Sequence, residues 1–181
     1  MTPPQACLYL YPLLKLDLRT LASGSGSITL PIEPKAVDAD ILRLTGNGTL
    51  ELTYDYRETS LNGTACARAV LLMECALCLK EFTLPVEAEF PFIAKMGAPD
   101  EDDENENTVT FSEKEMLVDL TGLVTEELAV NAPMKPVCAE GCKGLCPGCG
   151  ANLNAEECSC DLKPAHPAWD ALKKLNLKRE K

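Results

Sequence analysis

The spacing of apolar residues divides the chain into a strand-like first half and a helical segment further on. Runs of β-branched, aromatic and alternating apolar residues predict strands at residues 28–32, 49–56, 65–73 and 82–92. From Leu79 onward the apolar residues recur mostly at every second position, so we expect one packed face and one solvent face. Pro85 lies within this run and indicates an edge position or a bulge.

Glycine-rich segments between these runs predict the turns. They are Gly-Ser-Gly at residues 24–26, Gly-Asn-Gly at residues 46–48 and Asn-Gly at residues 62–63. Asn-Gly between two strand-like runs is typical of a tight hairpin, because both residues tolerate a positive φ. Strands joined in this way predict a small antiparallel β-sheet or a partial barrel.

The apolar period changes from two to about 3.6 residues in the second half of the chain. Here a helix is predicted over residues 116–130 by the spacing of Leu117, Leu120, Val124 and Leu128, and Pro133 ends the pattern. A short terminal helix is expected after Pro167, with Trp169, Leu172 and Leu175 on one face. The predicted fold class is therefore α+β: the sheet, a helix, a cysteine-rich segment and the terminal helix.

Local composition and the change of apolar period divide the chain into three expected regions: a β-rich domain at residues 1–96, a flexible acidic loop at 97–110 and a C-terminal region at 111–181 with the helix and the cysteine-rich segment. The formal net charge is −11, and residues 100–131 carry 11 acidic side chains against 1 basic one. This balance opposes direct attraction to a phosphate backbone. The terminal helix and the residues after it are locally basic, so RNA contact there is a second possibility.

Composition and compartment favour metal binding over disulfides. The 181 residues are 46% hydrophobic and 25% charged, which is ordinary for a globular protein. The apolar run at residues 6–14 is interrupted by Pro12 and resembles neither a signal peptide nor a transmembrane helix. We therefore expect a cytoplasmic protein without membrane association, whose 10 cysteines stay reduced and are available as metal ligands.

Eight of the cysteines are clustered and divide into two sets of four. Cys-Pro-Gly-Cys at residues 146–149 is typical of a zinc knuckle, a tight turn whose amides point at two thiolates. We expect it to be completed by Cys158 and Cys160. The turn between the third and fourth strands holds Cys75 and Cys78, and their partners are best sought in Cys138 and Cys142. Zinc held by Cys75, Cys78, Cys138 and Cys142 would join the sheet to the C-terminal region.

Other assignments of these cysteines are open from the sequence. Cys138 and Cys142 could instead complete a site with Cys146 and Cys149, or a single site could lie in the tail alone. Iron–sulfur ligation is chemically possible. Thiol–disulfide chemistry at Cys146 and Cys149 is a further alternative, but such a cysteine usually begins a helix, and the residues after Cys149 are poor helix formers.

No catalytic constellation stands out. Zinc with four protein thiolates has no open coordination position and cannot activate water. The chain has 1 histidine, and no phosphate-binding glycine loop is present. We therefore expect a protein that is not an enzyme and has no small-molecule substrate.

The motifs together resemble the YceD-like family of bacterial proteins. The resemblance covers roughly residues 60–177 and rests on Glu-Cys-Ala-Leu-Cys-Leu at 74–79, Asp-Leu at 119–120, Ala-Pro-Met-Lys-Pro-Val-Cys at 132–138, Cys-Lys-Gly-Leu-Cys-Pro-Gly-Cys-Gly-Ala-Asn-Leu-Asn at 142–154 and Pro-Ala-Trp-Asp-Ala-Leu-Lys-Lys-Leu at 167–175. It implies a non-enzymatic factor for 23S rRNA accumulation and large ribosomal subunit assembly. Together with the acidic charge, it leads us to expect a basic large-subunit ribosomal protein or a pre-ribosomal RNA particle as partner. A zinc-stabilised interaction module unrelated to ribosomes is the alternative.

Overall fold

Seven strands and one α-helix form the part of the chain that the computed structural model describes, residues 14–57, 59–97 and 107–160. The elements are β1 (Lys15–Asp17), a 3-10 helix (Leu18–Thr20), β2 (Gly24–Ile32), β3 (Gly48–Arg57), β4 (Ser60–Glu74), β5 (Glu81–Met96), β6 (Thr108–Phe111), β7 (Leu117–Asp119) and α1 (Thr121–Asn131). The architecture is α+β and consists mostly of sheet. The expected terminal helix lies outside the described residues.

The main sheet has the strand order β2-β3-β4-β5-β6. β2 to β5 form an antiparallel meander, as expected, and β6 adds in parallel to the end of β5. Within the described ranges β2 and β6 do not pair with each other, so the sheet is open and does not close into a barrel. A separate two-stranded sheet joins β1 to β7.

Alternation of apolar residues along β3, β4 and β5 places one side of the sheet against the core. Leu50 and Leu52 of β3 and Phe92 of β5 are almost completely buried. The helix α1 contributes Val124 and Leu128, which belong to the same hydrophobic cluster. The period-two prediction for β5 is therefore confirmed.

Pro85 occupies the edge environment that the sequence indicates. β6 pairs only with residues 93–96, so β5 has β4 as its single neighbouring strand at Pro85 among the described residues. Val70 of β4 lies opposite Pro85, and the Val70 carbonyl points away from β5 and accepts the N–H of Thr45 at 3.0 Å. Pro85 therefore needs no N–H for the ladder, which is why proline is tolerated there.

The hairpin turn predicted at residues 62–63 is wrong. Both residues lie inside β4, paired with Asp55 and Tyr54 of β3. Gly63 is required by packing, because a Cβ there would lie 2.8 Å from the Phe92 ring and would overlap the carbonyl oxygen of Thr53. The glycines at 24 and 26 likewise lie within β2, and a Cβ at position 26 would lie 2.6 Å from the Tyr54 hydroxyl.

The predicted helix begins five residues too early, at 116 in place of Thr121. The amide of Leu18 donates to the carbonyl of Met116 at 2.9 Å, and the amide of Leu120 donates to the carbonyl of Leu14 at 2.9 Å. These bonds hold residues 117–119 in β7. The helix starts where the Asp119 carboxylate accepts the N–H of Thr121 at 3.0 Å.

The acidic loop predicted at residues 97–110 overlaps β6, which begins at Thr108. Residues 98–106 lie outside the described ranges. Within those ranges, no helix combines the length and apolar character needed to cross a bilayer.

Candidate metal centres

The first cluster of thiols joins the turn after β4 to the segment that follows α1. It contains Cys75, Cys78, Cys138 and Cys142, whose sulfur atoms all lie within 4.8 Å of one another. The Sγ atoms of Cys75 and Cys142 are 3.8 Å apart, and those of Cys78 and Cys138 are 3.7 Å apart. Cys75 and Cys78 are buried, so this cluster lies at the margin of the core.

The second cluster is more exposed and is formed within one short stretch of chain. It contains Cys146, Cys149, Cys158 and Cys160, again within 4.8 Å of one another. The Sγ atom of Cys158 lies 3.3 Å from that of Cys146 and 3.4 Å from that of Cys149. Cys146 is buried, whereas Cys149 and Cys160 are exposed.

The two Cys-x-x-Cys turns share one backbone conformation. The N–H of Leu79 donates to the carbonyl of Cys75 at 2.9 Å, and the N–H of Gly150 donates to that of Cys146 at 2.8 Å. The residue after the second cysteine is left-handed in both turns, with φ 58° at Leu79 and 75° at Gly150. Leu79 therefore occupies a position that glycine fills in the second turn.

Exchanging the residues at these two equivalent positions is expected to change stability in opposite directions. Leu79→Gly removes the steric cost of a positive φ and should raise the free energy of unfolding by about 1 kcal/mol, since the Leu79 side chain is 56% exposed and loses little packing. Gly150→Leu should lower it by about 1 to 2 kcal/mol, because nothing crowds a Cβ there and only the φ is unfavourable. Urea unfolding measures both; equal effects of the same sign would contradict the shared conformation.

Backbone amides stabilise negative charge on one sulfur of the first cluster. Burial raises the pKa of Cys75, but the N–H groups of Cys138, Cys78 and Leu77 outweigh it and bring the pKa to about 6. The Cys138 N–H lies 3.4 Å from the Cys75 sulfur. Burial and the neighbouring thiols raise the pKa of Cys138 to about 12, so the sulfurs do not all ionise without a cation to balance them.

The second cluster has the same electrostatic pattern. The N–H groups of Cys149 and Gly148 lower the pKa of Cys146 to about 6. The Gly148 N–H lies 3.4 Å from the Cys146 sulfur, as a zinc knuckle requires. The nearby thiols of Cys158 and Cys149 raise the pKa of Cys160 to about 12. Four adjacent sulfurs with mixed ionisation are a donor set suited to a soft cation.

Each cluster has the dimensions to hold one tetrahedral metal ion. A metal–sulfur bond of about 2.3 Å gives sulfur–sulfur edges of about 3.8 Å in a regular tetrahedron. The separations in the first cluster match this edge, and those in the second are a few tenths of an ångström shorter. A multi-iron cluster inserts several irons and bridging sulfides between its ligands, and sulfurs within 4.8 Å of one another leave little room for it.

Main-chain and side-chain hydrogen bonds attach the second cluster to the first. The N–H of Leu145 donates to the carbonyl of Leu77 at 3.0 Å. Asn154 accepts the N–H of Lys143 at 2.8 Å and donates to the Cys142 sulfur at 3.4 Å. Sequence reasoning missed Asn154, because an asparagine in a loop has no pattern that separates a capping residue from a solvated one.

The grouping of the eight clustered cysteines is the one that the sequence favoured. Cys138 and Cys142 join Cys75 and Cys78, and they do not share a cluster with the Cys-Pro-Gly-Cys turn. No helix begins at Cys146 in the described part of the chain, so Cys146 does not have the helix-terminal placement that is typical of a redox cysteine.

Cys66 stands apart from both clusters. It is half-exposed on the outer face of the sheet, and its thiol donates to the Glu87 carboxylate at 3.3 Å. Burial and this carboxylate raise the pKa of Cys66, which favours the protonated thiol at neutral pH. Cys7 lies outside the described residues.

Comparison with known families decides the relationship. The family model described as "Large ribosomal RNA subunit accumulation protein YceD" matches residues 63–176, which is more than half of the chain. The chain belongs to the YceD family. The match takes in α1 and both thiol clusters, and the membership supports a role in the accumulation of large ribosomal subunit RNA. No curated protein and no solved structure gives a significant match.

Proposed function

We propose that this YceD-family protein is a non-enzymatic zinc-binding factor that supports 23S rRNA accumulation and large ribosomal subunit assembly. It acts as an adaptor that binds a basic large-subunit ribosomal protein or a pre-ribosomal RNA particle in the cytoplasm. The family match over residues 63–176 carries the proposal. In a reducing cytoplasm the thiol ligands would stay reduced and available to the metal.

Zinc is the metal that the donor sets favour. Four thiolates in tetrahedral arrangement suit zinc and leave no coordination position open, so both ions are structural. One ion fixes the segment after α1 to the sheet, and the other shapes the short segment that follows. The first is held by Cys75, Cys78, Cys138 and Cys142, and the second by Cys146, Cys149, Cys158 and Cys160.

Charge favours a basic protein over naked RNA as the direct partner. The chain has a formal net charge of −11, and each zinc tetrathiolate adds a local charge of about −2 to its surroundings. Eight acidic and three basic side chains lie within residues 107–160. A surface of this sign attracts a basic protein and repels phosphate.

Binding assays with the purified zinc-loaded protein test the choice of partner. We expect binding to one or more basic large-subunit ribosomal proteins at physiological salt, and none to bare 23S rRNA. Tight binding to the bare RNA, with no ribosomal protein bound, would show the adaptor role to be wrong. Depletion in cells should lower 23S rRNA and mature large subunits; unchanged subunit profiles would remove the ribosomal role.

Asn154→Ala should weaken zinc binding at the first cluster about tenfold, although Asn154 is not a ligand. The substitution removes the side-chain N–H that lies 3.4 Å from the Cys142 sulfur. Loss of a hydrogen-bond partner of a metal ligand typically lowers metal affinity by about 10- to 100-fold. Competition with a chromophoric chelator measures the change. Asn131→Ala is the control, because the Asn131 amide donates to the Glu127 carbonyl at the end of α1 and not to a thiol. Equal zinc affinity in the two variants would contradict the role of Asn154.

A further inference from the structure

The outer edge of β2 is long and open. All nine residues of Gly24–Ile32 pair with β3 on one side. On the other side, no strand from residues 14–57, 59–97 or 107–160 pairs with β2, which is the last strand in the sheet order. Backbone N–H and C=O groups along such an edge can accept another strand.

The direction of the backbone groups on β2 follows from bonds two strands away. The Val70 carbonyl accepts the Thr45 N–H at 3.0 Å, on the side of β4 that faces β3. The N–H and C=O groups of successive residues point to opposite sides of a strand. Even-numbered residues of β4 therefore form hydrogen bonds with odd-numbered residues of β3. The even-numbered residues of β3 point the other way and form hydrogen bonds with the even-numbered residues of β2. The odd-numbered residues of β2 therefore direct their backbone groups away from β3. They are Ser25, Ser27 and Thr29, with both N–H and C=O, and Pro31, with only its C=O.

This edge has few of the features that normally block pairing. None of the residues of Gly24–Ile32 is charged, and the register with β3 runs without a bulge. Pro31 blocks one end only. Ile28 and Leu30 pack against the core but stay half-exposed, whereas Leu50 on β3 is 0% exposed. The apolar layer is therefore incompletely covered where the sheet ends at β2.

We propose that the edge of β2 binds an extended basic segment of a partner protein as an added strand. The inference rests on the proposed function, because it names the chemistry of the partner. Residues of the segment beside Ile28 and Leu30 would be apolar and complete the inner layer. Residues on the outer face would lie beside Ser25, Ser27 and Thr29, whose small side chains leave room for lysine or arginine.

The charges near the edge favour a basic occupant. Glu51 and Asp55 lie on β3, opposite Thr29 and Ser25, so an added strand runs about 10 Å from them. Arg57 pairs with Asp55, and Glu51 shares Arg68 with Glu87, so this group of side chains retains one net negative charge. Long cationic side chains reach across that distance. A second copy of this chain is disfavoured, because two chains of formal net charge −11 repel each other.

Fluorescence anisotropy with the full-length, zinc-loaded protein tests the proposal. The probe is a labelled eight-residue peptide of alternating lysine and valine. Ser27→Pro removes one outward N–H without touching the β3 ladder and should weaken binding at least tenfold. Ser27→Ala keeps the N–H and should bind as the wild type does. Circular dichroism and zinc content show whether each variant is folded.

Charge variants keep the test decisive if the proline variant misfolds. Thr29→Lys should weaken binding of the lysine–valine peptide, and Thr29→Glu should strengthen it, each about threefold to tenfold at low salt. A peptide of alternating glutamate and valine should not bind. Equal binding of the two peptides, or equal binding by wild type and a folded Ser27→Pro variant, would overturn the proposal.

Two other occupants give different results, and each would also overturn the proposal. If sedimentation shows a wild-type dimer and a Ser27→Pro monomer, a second copy occupies the edge. If the peptide binds only after deletion of residues 1–13, that segment occupies it. Undiminished binding of a basic ribosomal protein to folded Ser27→Pro would reject the edge as its site and leave the proposed function intact.

Discussion

Cys75→Ser is expected to release one of two bound zinc ions and to lower the free energy of unfolding more than Cys149→Ser does. Cys75 and Cys78 lie after β4, whereas Cys138 and Cys142 follow α1, and Cys138 lies 60 positions after Cys78. Closing a chain loop of that length stabilises the folded state by about 4 kcal/mol in the chain-entropy account. Breaking the cluster should therefore loosen α1 and the segment after it from the sheet.

Native mass spectrometry and urea unfolding measure the two consequences separately. Cys149→Ser is the matched control, because it removes an exposed ligand from the second cluster, whose four ligands lie within residues 146–160. We expect this variant to lose the other ion and to unfold at a urea concentration closer to that of the wild type. A single ion that is insensitive to Cys75→Ser would show that the first cluster binds no metal.

Gly63→Ala is expected to lower the free energy of unfolding by about 3 kcal/mol, an unusually large effect for the addition of one methyl group. The new Cβ would lie 2.8 Å from the Phe92 ring and would overlap the carbonyl oxygen of Thr53. Phe92 is 1% exposed, and the Thr53 carbonyl belongs to the neighbouring strand, so neither has space to move away. Overpacking of this kind typically costs about 1 to 3 kcal/mol.

Urea unfolding of the zinc-loaded protein measures this loss, with Asn62→Ala as its control. Asn62 is the adjacent residue of β4 and is exposed on the opposite face, so its replacement should change stability by less than about 0.5 kcal/mol. If residues 62–63 formed a hairpin turn, both would need a positive φ, and each alanine substitution would cost a similar amount of about 1 kcal/mol. Similar midpoints for the two variants would therefore contradict the strand assignment.

Strong local patterns were sufficient to predict the long strands and the thiol clusters. β3, β4 and β5 have 10 to 16 residues, so alternation repeats often enough to be recognised. The cysteines could be grouped because the two tight turns each supply a pair, and a four-coordinate ion needs two pairs. Spacing alone did not decide which pairs combine; the path of the chain after α1 does.

The short elements could not be predicted, for the same physical reason. β1, β6 and β7 have three or four residues, too few to display a period, and they exist because a distant segment pairs with them. Leu117 and Leu120 imitate helical spacing while lying in or beside β7, where tertiary pairing overrides local preference. Gly63 shows the converse: a typical turn residue can be required by a ring packed against its strand.

The separation of ligands in the first cluster determines when that cluster can be completed during translation. At about 5 to 20 residues per second, synthesis of the 60 residues from Leu79 to Cys138 takes about 3 to 12 seconds. During this interval the nascent chain carries two thiols without their partners. The second cluster, confined to residues 146–160, is synthesised within about 3 seconds. Early exposure to oxidants therefore threatens the first pair far more than the four thiols of the second cluster.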